Sequence, residues 1–535
     1  MPSEIPGTCT VLVIGGGPAG AFAAAALARE GIDVILLEAD NFPRYHIGES
    51  MLPAMRHMFR FIDVDSAFDS FGFIIKNGAA FKLNQHNREG YTDFVAAGGP
   101  NNYSWNVLRS ESDNILFRHA AASGAKVFDG VKVTELSFKP DDASHLGRPI
   151  RASYVFKSNR ETGDIAFDYI VDATGRAGLM CTKYLKNRTY NQSLKNIAMW
   201  AYWKGTGVYG IGTPREGAPL AEALIDESGW AWFIPLHIGT SVGIVMDQEL
   251  TNKKKRAHDP PLSGLEFYLE QLRLAPTIMS LLGSANPTNI DDEQMVRSAS
   301  DYSYSSSCYS GPGFRIAGDA GAFIDPFFSS GVHLALIGGL TAALTICASI
   351  RGDCTESEAA DWHSKKIGSS FTWFLMVVLG AYKQMKSQRD AVLTDINEDN
   401  FDRAFSFIRP IIQGSIDVDE QLSVSDLSKV IDICVRAFEP AQTESREAVL
   451  AKLKDECFAT QVYENSQYLC IGNVGENVLS DDEKRVLAYI NAREVLGARD
   501  RALTMNAFVT DVIGGRRPRL KQGELGLEIA TNRMS

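Results

Sequence analysis

Gly15-Gly16-Gly17-Pro18-Ala19-Gly20 is a G-x-G-x-x-G run, and Glu38 stands 18 residues after its last glycine. Those residue types at that spacing can hold a dinucleotide. Gly15 permits the tight turn, Gly17 lets the backbone approach a pyrophosphate, Gly20 lets a helix close on a strand, and Glu38 accepts from ribose hydroxyls. A second feature lies far downstream, where Ser329-Ser330-Gly331 opens a long apolar run. A helix beginning at Gly331 would point free backbone N–H groups and a positive dipole end at a small anion.

Particular elements are needed to position these groups. Residues 11–14 are an apolar run suited to a buried parallel strand, and residues 33–37 are a second one ending at Glu38. Between them residues 21–29 are Ala-rich, which favours helix, and Gly31 can end it. The result is a βαβ unit with its helix N-terminus toward the phosphates. Three later segments resemble those of two-dinucleotide-fold flavoproteins, which implies FAD rather than NAD. Residues 168–175 run from a strand into the small-residue turn Asp172-Ala-Thr-Gly175. Residues 313–319 are a strand ending in Gly318-Asp319, whose carboxylate in such proteins accepts from the ribityl chain. Residues 42–50, with Arg44 and Glu49, fall where such proteins close over the flavin, and Arg109 matches a position that meets the pyrophosphate. The fold class is α/β: a Rossmann-like FAD domain with a substrate-side sheet and a helical C-terminal region.

Bulk composition narrows the alternatives. The chain has 535 residues, 45% hydrophobic and 22% charged, ordinary values for a soluble globular protein of two or three units. A net charge of −12 argues against a nucleic-acid partner, and no Lys/Arg run suggests an anionic membrane. Eight cysteines without a C-x-x-C pair disfavour a zinc site or redox pair, and no metal is expected. No basic leader or cleavage site precedes the first strand, so a cytoplasmic location is expected. Residues 332–350 approach the length of a membrane span, but they follow Gly-Asp where this flavoprotein fold buries a helix.

Two further motifs carry a more specific resemblance. Phe323-Ile-Asp-Pro-Phe-Phe-Ser-Ser-Gly331 is F-x-x-P-x-x-S-x-G, and Trp230-Ala-Trp232-Phe-Ile-Pro235 is W-x-W-x-I-P. On one FAD-type chain they resemble the flavin-dependent halogenases. That resemblance implies FADH2 from a separate flavin reductase, O2, and chloride or bromide. A flavin C4a-hydroperoxide would give hypohalous acid, which a Lys passes to a distant substrate. Lys76 best matches the family's catalytic Lys, with Lys82 as the fallback; both would lie on one face if the segment stayed extended, although Gly78 could break that register. Ser330-Gly331 matches the halide pair, with Val332 against the flavin. Trp230 and Trp232 alternate onto one face of a strand that Pro235 closes, where they would keep substrate from the flavin. The tryptophan halogenases carry Glu two residues before the halide-pair Ser/Thr; here that residue is Phe328. The chain is thus most similar to the fungal halogenases of phenolic polyketides, of the radicicol-biosynthesis type. The implied substrate is an electron-rich phenol; the fungal resemblance favours a free one, and a substrate tethered to a carrier protein, as for related halogenases, is the alternative.

The rival is an NAD(P)H-dependent FAD aromatic hydroxylase, which shares the nucleotide motifs. Residues 172–180 lack the D-G…S…R pattern such enzymes use. A geranylgeranyl-reductase-like enzyme would not need W-x-W-x-I-P, and a non-catalytic flavoprotein would give no halide-dependent product. Along the chain, the nucleotide part is expected at 1–70, 105–185 and 295–352. The substrate-side sheet is expected at 71–104 and 186–294, with residues 252–261 as a loop. Residues 353–535 read as a separate helical region in which Leu427, Val430, Ile431, Cys434, Val435 and Phe438 share one helix face. The tail from Gly514 is polar and reads as frayed.

Overall fold

A computed structural model describes residues 4–141, 144–289, 294–300, 303–389, 412–413, 480 and 512–530. The apolar stripe from Leu427 to Phe438 lies outside the described residues.

The first sheet runs in the order Ser310–Gly311, Phe314–Ile316, Thr162–Asp172, Thr8–Ile14, Val34–Leu37, Lys126–Phe128. Thr8–Ile14 pairs in parallel on both sides, with Thr162–Asp172 and with Val34–Leu37. A strand flanked this way is covered on both faces, hence the unbroken Val-Leu-Val-Ile. The helix Pro18–Arg29 follows, with proline in its first turn. Gly15 has φ +103°, and a Cβ there would fall 2.1 Å from the Ala173 carbonyl oxygen. A Cβ on Gly20 would fall 1.9 Å from the Gly15 carbonyl oxygen. Both glycines are therefore packing requirements of the turn.

The second sheet has the order Asn286–Thr288, Asn196–Lys204, Gly239–Asp247, Gly229–Leu236, Leu220–Ala223, Gly78–Lys82, Gly90–Asp93, with Arg297–Ser300 also paired to Asn196–Lys204. Period-two alternation sorts its side chains. Trp200, Tyr202, Trp230 and Trp232 join the main core, whereas Ala231, Phe233, Val242 and Ile244 pack under Phe267, Tyr268, Leu272 and Ile278 of two outer helices.

Behind the first sheet lies the 21-residue helix Gly331–Arg351. It is long and apolar enough to cross a membrane, but 89% of its apolar window is buried inside the molecule. Gly339 lets it lie against the first helix: a Cβ there would meet the Ala19 carbonyl oxygen at 2.4 Å.

Four local expectations need correction. Lys76 and Lys82 do not share a strand. Ile74–Lys76 pairs with Ser104–Asn106 in a small separate sheet, while Gly78–Lys82 joins the second sheet through Leu220–Ala223 and Gly90–Asp93. Residues 252–256 are helical, in Gln248–Arg256, because Asp247 caps the Glu249 and Leu250 N–H groups and four basic residues occupy the last turn. Pro235 does not close its strand; pairing continues through Leu236 to Gly239. The tail is not frayed over 516–529: Arg516–Arg519 and Gly526–Ile529 form a hairpin whose Leu525 and Leu527 are buried. Glu30 and Asp353 accept from its backbone N–H groups.

The helix Glu356–Lys386 begins just past the boundary expected at residue 353. It packs on Gly331–Arg351 and reaches the second sheet. Ser364 accepts from the Tyr309 N–H, and His363 bonds the Ile316 carbonyl.

Candidate active site

Residues of both sheets line one cavity of about 880 Å³, within the range of small-molecule and cofactor sites. Gly15, Gly17, Glu38, Arg44, Glu49, Arg109 and Asp319 line it, as do Lys76, Trp230, Trp232, Gly331 and Val332. Gly20 and Ser330 do not.

The nucleotide end comes directly from the first βαβ unit. The Glu38 carboxylate accepts from the Gly16 N–H at 2.6 Å and the Asp40 N–H at 2.9 Å. Arg44 donates to Asp113 at 3.1 Å, and its guanidinium lies 3.3 Å from where a Gly17 Cβ would project. A bare backbone, a helix N-terminus and a guanidinium thus converge on one spot, as a pyrophosphate requires. Arg109 is more committed. It grips Asp113 with two bonds of 2.8 and 3.0 Å and donates to the carbonyls of Ile47 at 2.9 Å and Gly48 at 3.4 Å. Of the five donors of a guanidinium, four hold the 47–48 loop and the helix Arg109–Ala122. Arg44 is therefore the more available cation for a phosphate. The donors, the glycine cradle and the ribose acceptor fit FAD.

Two carboxyls line the cavity, Glu49 buried and Asp319 half-buried. Asp319, on the Gly318–Ala320 turn, is pushed up to about 6 by burial, against the pull of Arg109, Arg176 and Arg188. Glu49 is pushed up to about 7 by burial. It accepts from Tyr202 at 2.5 Å; Tyr202 also shares a 3.1 Å bond with Tyr45, which accepts from Trp200 Nε1 at 2.7 Å.

The residues expected to bind a small anion sit at the entry of Gly331–Arg351. Ser329 has φ +58°, an αL turn from which the chain passes through Ser330 into the helix. Gly331 and Val332 reach the cavity wall. Ser330 is fully buried behind it, its Oγ without a partner among the described residues. A small anion at this entry would meet backbone N–H groups rather than that hydroxyl. Phe328 packs against Phe81 and Phe327, with ring centroids 5.2 and 4.8 Å away, so no carboxylate stands there.

Lys76 lines the same cavity while only 2% exposed. Its Nζ donates to the Met51 carbonyl at 2.9 Å and lies 5.2 Å from the Phe94 ring centroid. Burial pulls the amine down to about 7. Lys82 instead pairs with Glu222 at 3.6 Å and donates to Thr277 at 3.0 Å, and it does not line the cavity. The two tryptophan indoles are anchored, Trp230 Nε1 to Tyr382 at 2.9 Å and Trp232 Nε1 to Ser241 at 3.1 Å.

Several polar residues here escape sequence reasoning. Ser104 is the register partner of Lys76, and Asn106 lies two residues on along the same face. Both are fully buried, and Ser104 Oγ and Asn106 Nδ2 have no partner among the described residues. Asp325, Asn196 and Tyr382 form a second buried group below the helix entry. An Asp before Pro326 is a local capping signal; the others carry none, because their partners are distant in the chain.

Comparison with known proteins gives a consistent outcome. The family model described as tryptophan halogenase matches residues 10–102 and 92–391. The chain is 52% identical to the flavin-dependent halogenase ascD of Acremonium egyptiacum, over 98% of this chain and 93% of the relative. It is 48% identical to the sulochrin halogenase gedL of Aspergillus terreus, over 98% of this chain and 94% of the relative. Among solved structures, the myxobacterial chondrochloren halogenase CndH superposes with a TM-score of 0.64 at 27% identity, covering 80% of this chain and 97% of that one.

Proposed function

The chain belongs to the flavin-dependent halogenases, a flavoprotein enzyme of secondary metabolism that uses FADH2, halide and O2, and from that premise we propose that it halogenates an electron-rich phenol, a free polyketide, through Lys76. The observation that carries this reading is a buried amine without a carboxylate partner among the described residues, in one cavity with a helix entry suited to halide.

Glu38 would hold the adenosine ribose, Gly15, Gly17, Arg44 and Arg109 the pyrophosphate end, and Asp319, Glu49 and Val332 the flavin; Gly20 keeps the cradle closed. The Gly331 entry, with the Ser330 backbone, would seat the halide. Bound FADH2, with O2 and halide, supplies hypohalous acid. Burial favours the neutral Lys76 amine, which is a nucleophile. It takes the halogen from hypohalous acid, forming N–X and releasing water. The phenol ring carbon then takes the halogen from nitrogen, and the ring proton returns the amine to N–H. Trp230 and Trp232 would wall substrate away from the flavin.

Two observations favour a phenol. Phe328 puts an apolar ring where the tryptophan subgroup has a carboxylate, and the relative from Aspergillus terreus is named for halogenating sulochrin. A separate flavin reductase would deliver the cofactor in the cytoplasm. The test is incubation with FAD, a reductase, NADH, bromide or chloride and a panel of free phenols, read by isotope pattern. Product from phenols supports the proposal; product from tryptophan alone overturns the substrate class.

A further inference from the structure

Asp325 is the third residue of the F-x-x-P-x-x-S-x-G run and is fully buried. Its Oδ1 accepts from the Phe327 N–H at 3.2 Å, capping the short turn Pro326–Phe328. Its Oδ2 accepts from Tyr382 at 2.7 Å and from Asn196 Nδ2 at 3.1 Å. The Tyr382 hydroxyl in turn accepts from Trp230 Nε1 at 2.9 Å and Asn196 Nδ2 at 2.8 Å. Four elements therefore meet on one carboxylate: the Pro326 turn, two strands of the second sheet, and the last part of Glu356–Lys386. Trp230 touches the same turn a second time, its ring edge-on to Phe327 at 4.9 Å and 88°.

This geometry bears on the helix entry at Gly331, six residues after Asp325. The Pro326–Phe328 turn hands the chain to Ser329 in its left-handed conformation and then to Ser330 and Gly331. Where that turn ends fixes where the first backbone N–H groups of Gly331–Arg351 point. An anion held by backbone donors is sensitive to their direction, because hydrogen bonds weaken steeply off-line. Ionised aspartate offers acceptors only, so an amide at 325 would set a donor against the Tyr382 hydroxyl, the Asn196 amide or the Phe327 N–H.

We infer that Asp325, Tyr382 and Trp230 form a buried clamp that fixes the halide-binding turn, acting as positioning residues that set halide affinity. The inference rests on the reading that the Gly331 entry seats the halide. It ties the W-x-W-x-I-P run to the halide turn through a hydroxyl from the helix Glu356–Lys386.

The test uses full-length FAD-loaded enzyme with a reductase and measures KM for chloride and bromide separately from kcat, together with FAD affinity. Tyr382→Phe removes a donor from Asp325 and an acceptor from Trp230. Losing a buried hydrogen bond of about 1.4 kcal/mol corresponds to a tenfold change. KM for both halides should rise about tenfold, while kcat at saturating halide and FAD affinity stay within about twofold. Asn196→Ala removes the other side-chain donor to Asp325 Oδ2 and lies off the cavity wall; it should raise halide KM less, and it serves if Tyr382→Phe does not fold. An unchanged halide KM in both variants overturns the clamp, as does a fall in kcat or FAD affinity without a change in halide KM. If Gly331→Asp alters halide dependence while these variants do not, the clamp fails and the halide site stands. If Gly331→Asp also leaves it unchanged, the halide site itself fails.

Discussion

Lys76 illustrates what a single residue adds. A buried amine costs stability when charged, and its low basicity gives that cost a sign. Because burial pulls it to about 7, the folded state binds fewer protons than the unfolded state from about pH 7 up to the ordinary lysine range near 10.4. The cost is fully present below about pH 7 and fades as pH rises through that window. Lys76→Met should therefore raise the melting temperature more at pH 6 than at pH 9.5, while halogenation is lost. Thermal melts at the two pH values check this; an equal or reversed difference would show that the amine is not desolvated as described. The type and place of Lys76 and its rank over Lys82 come from the family resemblance, but the structural choice that buries one lysine in the cavity wall and not the other is not legible in sequence. That choice depends on residues 77–78, where the chain leaves one small sheet and enters another, and on pairing with 104–106 and 220–222. Ser104 and Asn106 are hidden for the same reason.

Among elements, the first βαβ unit is the most legible, because its glycines, apolar runs and Glu38 act within one local stretch. The entry of Gly331–Arg351 is legible as a helix start, but the burial of the Ser330 side chain behind the wall is not. Gly331→Asp tests the entry. A Cβ there would already stand 3.3 Å from Phe323, and a carboxylate would repel an anion at the same N–H groups. Halogenation should fall by at least tenfold, with partial recovery at high chloride and with FAD still bound, as measured by halide titration. A halide dependence like that of the unaltered enzyme would remove the entry as the halide seat. The helix Glu356–Lys386 is the least legible element. Its composition reads as the start of a separate helical region, yet Tyr382 reaches Asp325, 57 residues earlier in the chain. Only long-range packing shows that.

At the scale of the whole molecule, residues of two sheets enclose one cavity that the nucleotide motif and Lys76 both line, and the proposed function depends on that shared cavity. FADH2 is expected from outside, since residues 172–180 lack the hydroxylase pattern. The purified protein should not oxidise NADPH when an aromatic substrate is added, as followed by absorbance; substrate-stimulated oxidation would favour a hydroxylase. O-methylation of the directing hydroxyl should sharply slow turnover, because a phenol with a pKa of about 10 must lose its proton to become strongly nucleophilic. The most direct measurement is a single turnover with bound, pre-reduced FAD, O2, bromide and a resorcinol-type phenol, comparing the unaltered enzyme with Lys76→Met and reading products by isotope pattern. The unaltered enzyme should give the brominated phenol, and Lys76→Met should bind FAD and consume O2 but give none. Equal bromination by both enzymes, or a hydroxylated phenol as the main product, would contradict halogen transfer through Lys76.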